Sequence, residues 1–378
     1  GNCRLIIALD CGIKAVDKVK YARSKDIDVI ICDHHLPGDE IPAATAVLDP
    51  KQPGCNYPYK ELSGCGVGFK LIQAYCQLHK IPFEKIFPYL DLVAVSIGSD
   101  IVPMNGENRV LSYFGLKQLN ESPRLGIKKI IDKAKIRMPL SIEDIVFRIG
   151  PRINAAGRME SGSKAVELLV SQDAQAALTI CDAIDRSNDD RRKKDSEITS
   201  EARRMVSEDE RMGNNRTTVL FHQGWHKGVI GIVASRLIET YYRPTIILTE
   251  SKDGFATGSA RSVPGYDLYQ AIESCSDLLE SFGGHMFAAG LTLKQANLPM
   301  FRERFEKFVS DTIKEEHLVP SVNVDEEIPL EDVTWDLLKY LERFQPFGPD
   351  NMAPVFVSRR VKTLTCQPVG NNGTHLKL

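Results

Sequence analysis

Two short apolar runs near the N-terminus each end in an aspartate, and this repeated pattern restricts the fold more than any other part of the sequence. LIIALD ends at Asp10 and DVIICD ends at Asp33, with a helical pattern near Ile13–Ser24 between them. Alternating strand and helix patterns are typical of a parallel sheet, whose ligand sites lie beyond the carboxyl ends of the strands. We predict that Asp10 and Asp33 lie side by side, and that Leu5–Leu9 is a buried strand.

The same alternation recurs along the chain and predicts several domains. Helical patterns cover Gly66–His79 and Phe87–Ile97, and the proline-free stretch Gln172–Met212 has the composition of one long helix. From Thr217 onward, the strands TTVLFH and PTIILTE flank the helix GVIGIVASRLIETYY, and a second helix, DLYQAIESCSDLLESF, follows. We predict a parallel-sheet α/β domain at 1–171, a connecting helix at 172–212, a smaller α/β domain at 213–320 and the start of a small β domain at 321–378.

Composition argues against a membrane-spanning chain and against a protein that coats nucleic acid with its whole surface. The sequence is 43% hydrophobic, but no apolar run approaches the roughly 20 residues that cross a bilayer. Lys and Arg number 48 against 50 Asp and Glu, so a polyanion would bind in a local groove. The nine cysteines are scattered without a CxxC pair, which indicates reduced thiols. We expect a cytoplasmic protein without a membrane partner.

The strongest local motif is CDHHLPGDE, which begins at Cys32 directly after a predicted strand. It offers a carboxylate at Asp33, one imidazole at His34 that can bind a metal, and a second at His35 that can meet an anion. A lone DHH tripeptide is equally compatible with a polar turn. Asp100 ends the apolar run LDLVAVSIGSD. Together, Asp10, His34 and Asp100 form an oxygen and nitrogen ligand set that suits Mn²⁺ or Mg²⁺.

Two motifs in the middle of the chain carry polar side chains suited to phosphate. GSARS is expected in a glycine-containing loop, where backbone donors and the Arg261 guanidinium hold a phosphate beside Ser259; the alternative is a surface turn. PRINAAGRM is expected to line a channel for a nucleic-acid strand. Its polar residues are Arg152, Asn154 and Arg158.

Two other features are interpreted as structural. The RRKK run at 191–194 has acidic neighbours and is typical of a solvated helix face. Trp225 is expected in a core, with base stacking as the alternative.

These motifs resemble those of the DHH phosphoesterase superfamily. The resemblance rests on DCG at Asp10–Gly12, DHH at Asp33–His35, SDIVPMNGENR at 99–109 and PRINAAGRM at 151–159. WHKGVIGIVASRL, GSARS and GGHMFAAG resemble the DHH-associated domain of that superfamily. PFGPDNMAPVF and the terminal HLKL resemble the beginning of an oligonucleotide-binding (OB) β domain. The resemblance therefore implies a DHH domain, a DHH-associated domain and the start of an OB domain, in that order.

The resemblance also implies roles for individual residues. Asp10 is implied to bridge two metal ions, and His34 and Asp100 to bind one of them. Asp33 is implied to orient the histidines, and His35 to contact the phosphate. For GGH, a helix C-cap is the alternative to a functional role. The implied phosphate-binding residues of the second domain are Ser259, Arg261 and His285.

Members of the superfamily that carry all these segments are exonucleases specific for single-stranded DNA, digesting from the 5′ end in DNA repair and recombination. We therefore expect a metal-dependent exodeoxyribonuclease that uses two Mn²⁺ ions, with Mg²⁺ as the alternative metal. The implied partners are single-stranded DNA, a single-strand-binding protein and a helicase.

Two further readings stay open. One is a nanoRNase or cyclic-dinucleotide phosphodiesterase, which would not need PRINAAGR, the long helix or the terminal β domain. The other is a non-catalytic DNA-binding scaffold, although a scaffold has no reason to hold the set Asp10, His34, His35 and Asp100. The superfamily's first metal motif, DxD, has no counterpart before Leu5. We therefore expect the chain to be incomplete at both ends and impaired in catalysis by itself.

Overall fold

The structure is a computed structural model that describes residues 3–159, 161–370, 373 and 375–378. The chain divides into two compact units. Unit 1 comprises residues 1–124, 135–150 and 322–378, and unit 2 comprises residues 125–134 and 151–321. Within the described ranges, no helix is both long enough and apolar enough to cross a membrane. The predicted α/β class, with a parallel sheet in the N-terminal part, is confirmed.

Unit 1 is built on a three-stranded parallel sheet in the order β1–β2–β3. Its elements are β1 (Leu5–Leu9), α1 (Val16–Arg23), β2 (Asp28–Cys32) and β3 (Ala46–Leu48). The central strand β2 buries Val29 and Ile31 against Val19 and Ala22 of α1. This packing explains why the run DVIIC is apolar, since a central parallel strand is covered on its faces.

The prediction that β1 is buried is wrong. Its bounds match the sequence pattern, but Leu5, Ile6, Ile7 and Leu9 are each 40–52% exposed. The reason is its position, because β1 pairs with β2 and forms the edge of the sheet among the described strands. An apolar run establishes strand propensity, whereas burial depends on which neighbours cover the strand.

Helices supply most of the remaining structure up to residue 159. They are α2 (Gly64–Leu78), α3 (Leu90–Asp100), α4 (Gly106–Glu121), α5 (Leu125–Lys133), the single turn α6 (Ile142–Asp144) and α7 (Gly150–Met159). A π-helical segment, Ile145–Ile149, links α6 to α7.

Unit 2 contains one very long helix and a five-stranded mixed sheet. Besides α5 and most of α7, it contains the helices α8 (Ser163–Val170), α9 (Ala174–Glu208), α10 (Ile230–Tyr241), α11 (Leu268–Glu273) and α12 (Leu298–Thr312). The strands are β4 (Thr218–His222), β5 (Thr245–Glu250), β6 (Phe255–Arg261), β7 (Leu279–His285) and β8 (Ala288–Lys294), in the order β4–β5–β6–β8–β7. The pair β4–β5 is parallel and the other pairs are antiparallel.

The sheet of unit 2 is covered on both faces. Helices α11 and α12 pack on one face, where Phe301 and Phe305 are fully buried. The end of α9 and helix α10 pack on the other face, where Leu220 and Ile247 meet Val233. The long helix predicted across 172–212 is therefore present as α9, held by apolar residues of its C-terminal half.

Two predictions in this region differ from the structure. The segment DLYQAIESCSDLLESF was predicted to be one helix, but its second half forms β7 and pairs with β8. GSARS was predicted to be a loop, but it lies in β6, a central strand of the sheet. In both cases the hydrogen bonds of the sheet override the local preference of the sequence.

In its described residues, the C-terminal segment forms the short strands expected of a β domain and also a helix. They are β9 (Glu326–Glu327), α13 (Trp335–Glu342), β10 (Phe356–Val357), β11 (Gln367–Val369) and β12 (His375–Lys377). The segment bonds to the rest of unit 1, since Arg109 Nη2 donates to the Phe344 carbonyl at 2.9 Å.

A buried ion pair anchors the start of α3, the helix that ends at Asp100. Asp91 is 1% exposed and accepts from Arg124 through two nitrogens, with Nε–Oδ2 at 2.7 Å and Nη2–Oδ1 at 2.6 Å. Removing either side chain would break this charge-assisted pair at the start of α3.

We predict that Asp91→Ala lowers the free energy of unfolding by about 3–5 kcal/mol, because the Arg124 guanidinium loses its carboxylate. Urea denaturation measures this change. Asp132→Ala removes an exposed acid of α5 and should change stability little. Equal stability of the two variants would show that the ion pair does not anchor α3.

Candidate metal centre and phosphate-binding residues

The carboxyl edge of the unit 1 sheet brings the predicted metal ligands together. Leu9 of β1 pairs with Cys32 of β2, so the residues that follow these strands, Asp10 and Asp33, emerge at the same edge. The Asp10 amide donates to the Cys32 carbonyl at 2.9 Å. Asp10 itself has a φ of 63°, in the left-handed region that Asp tolerates better than most residues. The chain thereby turns sharply into the DCG loop.

Asp33 is a buried carboxylate that accepts hydrogen bonds from two loops. It is 1% exposed, and its Oδ2 accepts from the Ile13 amide of the DCG loop at 2.9 Å. Its Oδ1 accepts from the His34 amide at 2.8 Å and lies 2.7 Å from His35 Nδ1. Burial by itself would raise the pKa of Asp33, but these bonds from Ile13, His35 and His34 outweigh burial and lower it. Asp33 therefore stays ionised, and it holds the backbone of His34 and the ring of His35.

Two predicted carboxylate ligands, Asp10 and Asp100, both face the ring of His34. His34 Nε2 lies 3.1 Å from Asp10 Oδ1 and 3.3 Å from Asp100 Oδ2. His35 is close by, since ligand atoms of Asp10, His34 and His35 lie within 4.8 Å of one another. Asp10 and His34 follow strands, whereas Asp100 is the last residue of α3. The trio thus joins two strand ends to one helix end.

The chemistry of this trio fits a divalent cation. His34 is 7% exposed, and its buried Nε2 makes no hydrogen bond of acceptable geometry, although two carboxylates face it. The Asp10 carboxylate raises the pKa of His34, burial opposes this effect, and Asp100 adds to it. An imidazole nitrogen between two carboxylate oxygens is a donor set that suits Mn²⁺ or Mg²⁺.

Sequence reasoning missed Gly64, which the metal centre requires. A Cβ at position 64 would lie 2.0 Å from Asp10 Oδ1 and 2.6 Å from Asp10 Cβ, so the first turn of α2 approaches Asp10 too closely for a side chain. The sequence did contain a signal for this close approach, because GCGVG places several glycines at the start of a helix, where glycine is unfavourable.

The second group of predicted residues lies in unit 2, on the sheet face covered by α10. Ser259 and Arg261 alternate along β6 and point to the same face. Arg261 Nη1 donates to Ser259 Oγ at 3.0 Å. A Cβ at Gly231, in the first turn of α10, would lie 2.9 Å from Ser259 Oγ and 3.1 Å from Arg261 Nη2. The N-terminus of α10 therefore abuts both side chains.

His285 and Arg158 belong to the same region of unit 2. His285 and Arg261 both pair with Ala288, so they occupy one row across the sheet. The Arg158 carbonyl lies 2.7 Å from a Cβ built at Gly228, just before α10. Burial lowers the pKa of Arg261, and the charge of Arg158 lowers it further. The Arg158 carbonyl and the Arg261 guanidinium therefore both lie near the start of α10.

Not every predicted phosphate ligand joins this region. Arg152 forms an ion pair with Asp185, with Nε–Oδ1 at 2.9 Å. Asn154 is exposed on α7. Trp225 is buried in the core, and its indole donates to Glu201 at 2.7 Å, which agrees with the expected packing role.

We predict that Gly64→Ala weakens Mn²⁺ binding by about 10–100-fold, the range typical when a group that positions a ligand is disturbed. Calorimetric titration with Mn²⁺ measures this affinity. Gly213→Ala is the matched control, because a Cβ there would meet nothing within 4 Å. Asp10→Ala should abolish binding, and retained affinity in that variant would remove the metal assignment.

Family models match three parts of the chain. The DHH family, N-terminal domain, matches residues 2–97, the DHHA1 domain matches 214–311 and the RecJ OB domain matches 324–378. The single-stranded-DNA-specific exonuclease RecJ of Bacillus subtilis is 40% identical, covering 99% of this chain and 47% of that protein. RecJ of Escherichia coli is 33% identical (94% and 64% covered), and RecJ of Salmonella typhimurium is 32% identical (100% and 68% covered).

Solved structures agree with these relatives. The crystal structure of RecJ in complex with Mn²⁺ from Thermus thermophilus matches with a TM-score of 0.84 and 29% identity, covering 94% of this chain and 52% of that one. The Mg²⁺ complex from the same organism matches with a TM-score of 0.78 and 28% identity, covering 93% and 50%. The chain spans about half the length of the Bacillus relative and of these structures. From the domain order, the identities and the shared fold, the chain belongs to the RecJ family.

Proposed function

We propose that the chain hydrolyses phosphodiester bonds of single-stranded DNA as a Mn²⁺-dependent exonuclease that starts at the 5′ end, with Mg²⁺ as the alternative metal. The observation that supports this most directly is the buried His34 Nε2, which faces Asp10 and Asp100 without a hydrogen bond. The names of the relatives and the metals in the related structures point to the same activity and cofactor. The RecJ OB match speaks against a short phosphodiesterase.

In this proposal Asp10, His34 and Asp100 hold a divalent cation. Such a cation supplies a Lewis acid that promotes ionisation of water and neutralises charge on the phosphate. The trio provides ligands for one ion, and the proposed complete reaction uses two. We therefore keep the expectation that residues 1–378 by themselves degrade DNA poorly, since one ion does not complete a two-metal unit.

His35 would bind the phosphate next to the metal. Its Nδ1 is held by Asp33 at 2.7 Å, so its ring is oriented and its Nε2 faces away from that carboxylate. The side chain is 59% exposed, which leaves Nε2 accessible to a ligand. Nε2 is therefore the ring nitrogen of His35 that would meet a phosphate oxygen.

Unit 2 would bind single-stranded DNA through contacts with its phosphates. Arg158, Ser259, Arg261 and His285 present donors on one region of that unit. Guanidinium groups bind phosphate oxygens in a two-pronged geometry, without reading the base. We also propose a cytoplasmic location and roles in repair and recombination, with a single-strand-binding protein and a helicase as partners. These proposals follow from the family resemblance.

We predict slow, Mn²⁺-dependent degradation of single-stranded DNA by residues 1–378, with little attack on a blunt duplex. Strands labelled at the 5′ or the 3′ end report the direction, because digestion from the 5′ end releases a 5′ label first. Asp10→Ala should abolish the residual activity. Metal-independent degradation, or equal degradation of the duplex, would contradict the proposed activity, and rapid digestion would contradict the one-ion interpretation.

We predict that Arg261→Ala weakens single-strand binding and reduces the slope of log K against log salt by about 0.7, the value for one phosphate contact on a single strand. Fluorescence anisotropy in the presence of EDTA measures binding without digestion. Lys294→Ala removes an exposed cation from the other end of the neighbouring strand β8 and serves as the control. An unchanged slope for Arg261→Ala would mean that Arg261 contacts no phosphate.

A further inference from the structure

Asp49 is a buried acid that the proposed reaction does not use. It follows strand β3 and is 2% exposed. Its Oδ1 accepts from the Lys51 amide at 2.8 Å. Its Oδ2 is also buried and has no hydrogen-bond partner among the described residues. A buried carboxylate needs hydrogen-bond donors to remain charged, so an acid with one bonded oxygen and one unpaired oxygen requires an explanation.

A second buried acid, Asp33, lies beside Asp49 in the same sheet. Cys32 pairs with Leu48, so the two acids directly follow paired residues of neighbouring parallel strands. The Asp33 amide donates to the Leu48 carbonyl at 3.0 Å, which extends the pairing to the first acid. Asp33 is two residues beyond Ile31, which packs against α1. Because side chains alternate along a strand, both carboxylates lie on the face that α1 covers.

The two acids differ in how well they are bonded. Asp33 is 1% exposed and accepts four hydrogen bonds from the DCG and DHH loops, whereas Asp49 accepts one. Two neighbouring buried carboxylates are costly to ionise together, so the acid with fewer donors keeps a proton. Burial raises the pKa of Asp49, the bond from the Lys51 amide opposes this effect, and the charge of Asp33 raises the pKa further. The charges of Lys51 and His34 act in the opposite direction.

We infer that Asp49 is a neutral carboxylic acid in the folded protein, and that it acts as a positioning residue of the metal centre by leaving the negative charge of this pair on Asp33. Asp33 holds the backbone of His34 and the ring of His35. A charge on Asp49 would favour protonation of Asp33 and would weaken these charge-assisted bonds. The positioning role rests on the proposed function, whereas the neutrality of Asp49 does not.

Infrared spectroscopy detects the proton of Asp49 directly. A protonated carboxyl group has a C=O band separate from the bands of carboxylates. We expect the parent at neutral pH to show a band that Asp49→Asn lacks. Asp26→Asn is the matched control and should keep this band, because Asp26 is an exposed acid that precedes β2, at the end of the strand opposite the metal centre. Equal spectra for the parent and Asp49→Asn in this region would mean that Asp49 is ionised, and would overturn the inference.

Urea denaturation between about pH 5 and pH 8 tests the same proton through linkage. In the unfolded chain Asp49 loses its proton at an ordinary carboxyl pKa, whereas the folded protein keeps it, so the stability that this proton contributes is lost as the pH rises. Groups common to both proteins, such as Asp33 and His34, largely cancel when the parent is compared with Asp49→Asn.

The unfolding constant of the parent, divided by that of Asp49→Asn, should therefore rise with pH by up to about tenfold per pH unit. A ratio that stays constant, or that falls as the pH rises, would contradict a neutral Asp49.

Calorimetric titration with Mn²⁺ tests the positioning role. Asp49→Asn keeps a neutral side chain of the same shape, whose amide oxygen accepts the Lys51 bond, so it should bind Mn²⁺ at neutral pH as the parent does. Asp49→Ala removes the acceptor and leaves a gap beside Asp33, so we expect about tenfold weaker binding, as is typical when a group that supports metal ligands is removed. Weaker binding by Asp49→Asn would show that a charge is needed, and parent-like binding by Asp49→Ala would reject the positioning role.

These outcomes separate the inference from the proposed function. If the parent binds no Mn²⁺, the metal centre is wrong and the positioning role with it, while the infrared band still decides whether Asp49 is neutral. If the parent binds Mn²⁺ and Asp10→Ala does not, but Asp49→Asn also loses affinity, the metal centre stands and this inference alone is wrong.

Discussion

The Asp33 carboxylate is the interaction on which the metal centre depends. A single buried acid accepts from the DCG loop through Ile13 and from the DHH loop through His34 and His35. These bonds fix the loops that carry Asp10 and the two histidines, and the positions of two strand ends follow from them. A neutral side chain here would keep some of the bonds but lose the charge that makes them strong. The aspartate of DHH thus holds the residues around it in position.

The metal trio shows what the sequence could predict. Parallel strands expose their carboxyl ends at one edge, so two apolar runs ending in Asp10 and Asp33 sufficed to place those acids and His34 together. Asp100 was predicted to be a ligand, but its position at a helix end depends on how α3 packs. The need for glycine at position 64 could not be predicted, because the side chain that leaves no room for a Cβ there belongs to Asp10, which is distant in sequence.

Unit 2 shows where sequence reasoning fails. Strand pairing placed GSARS in β6 and the end of a predicted helix in β7, because hydrogen bonds to β8 outweigh local propensity. The RRKK run is exposed at Arg192 and Lys193, whereas Arg191 is half-buried. Its burial depends on the packing of α9 against the rest of unit 2. The sequence of four consecutive cations does not show which of them packing will bury.

The close approach of α2 to Asp10 links the candidate metal centre to the packing of unit 1. A Cβ at Gly64 would overlap the Asp10 carboxylate, so the helix and the loop after β1 fit together only without a side chain at that point. Asp10 therefore takes its place beside His34 only when α2 has packed against the sheet. The ligand set is thus a property of the folded unit, and a change that loosens α2 would separate the ligands without altering any of them.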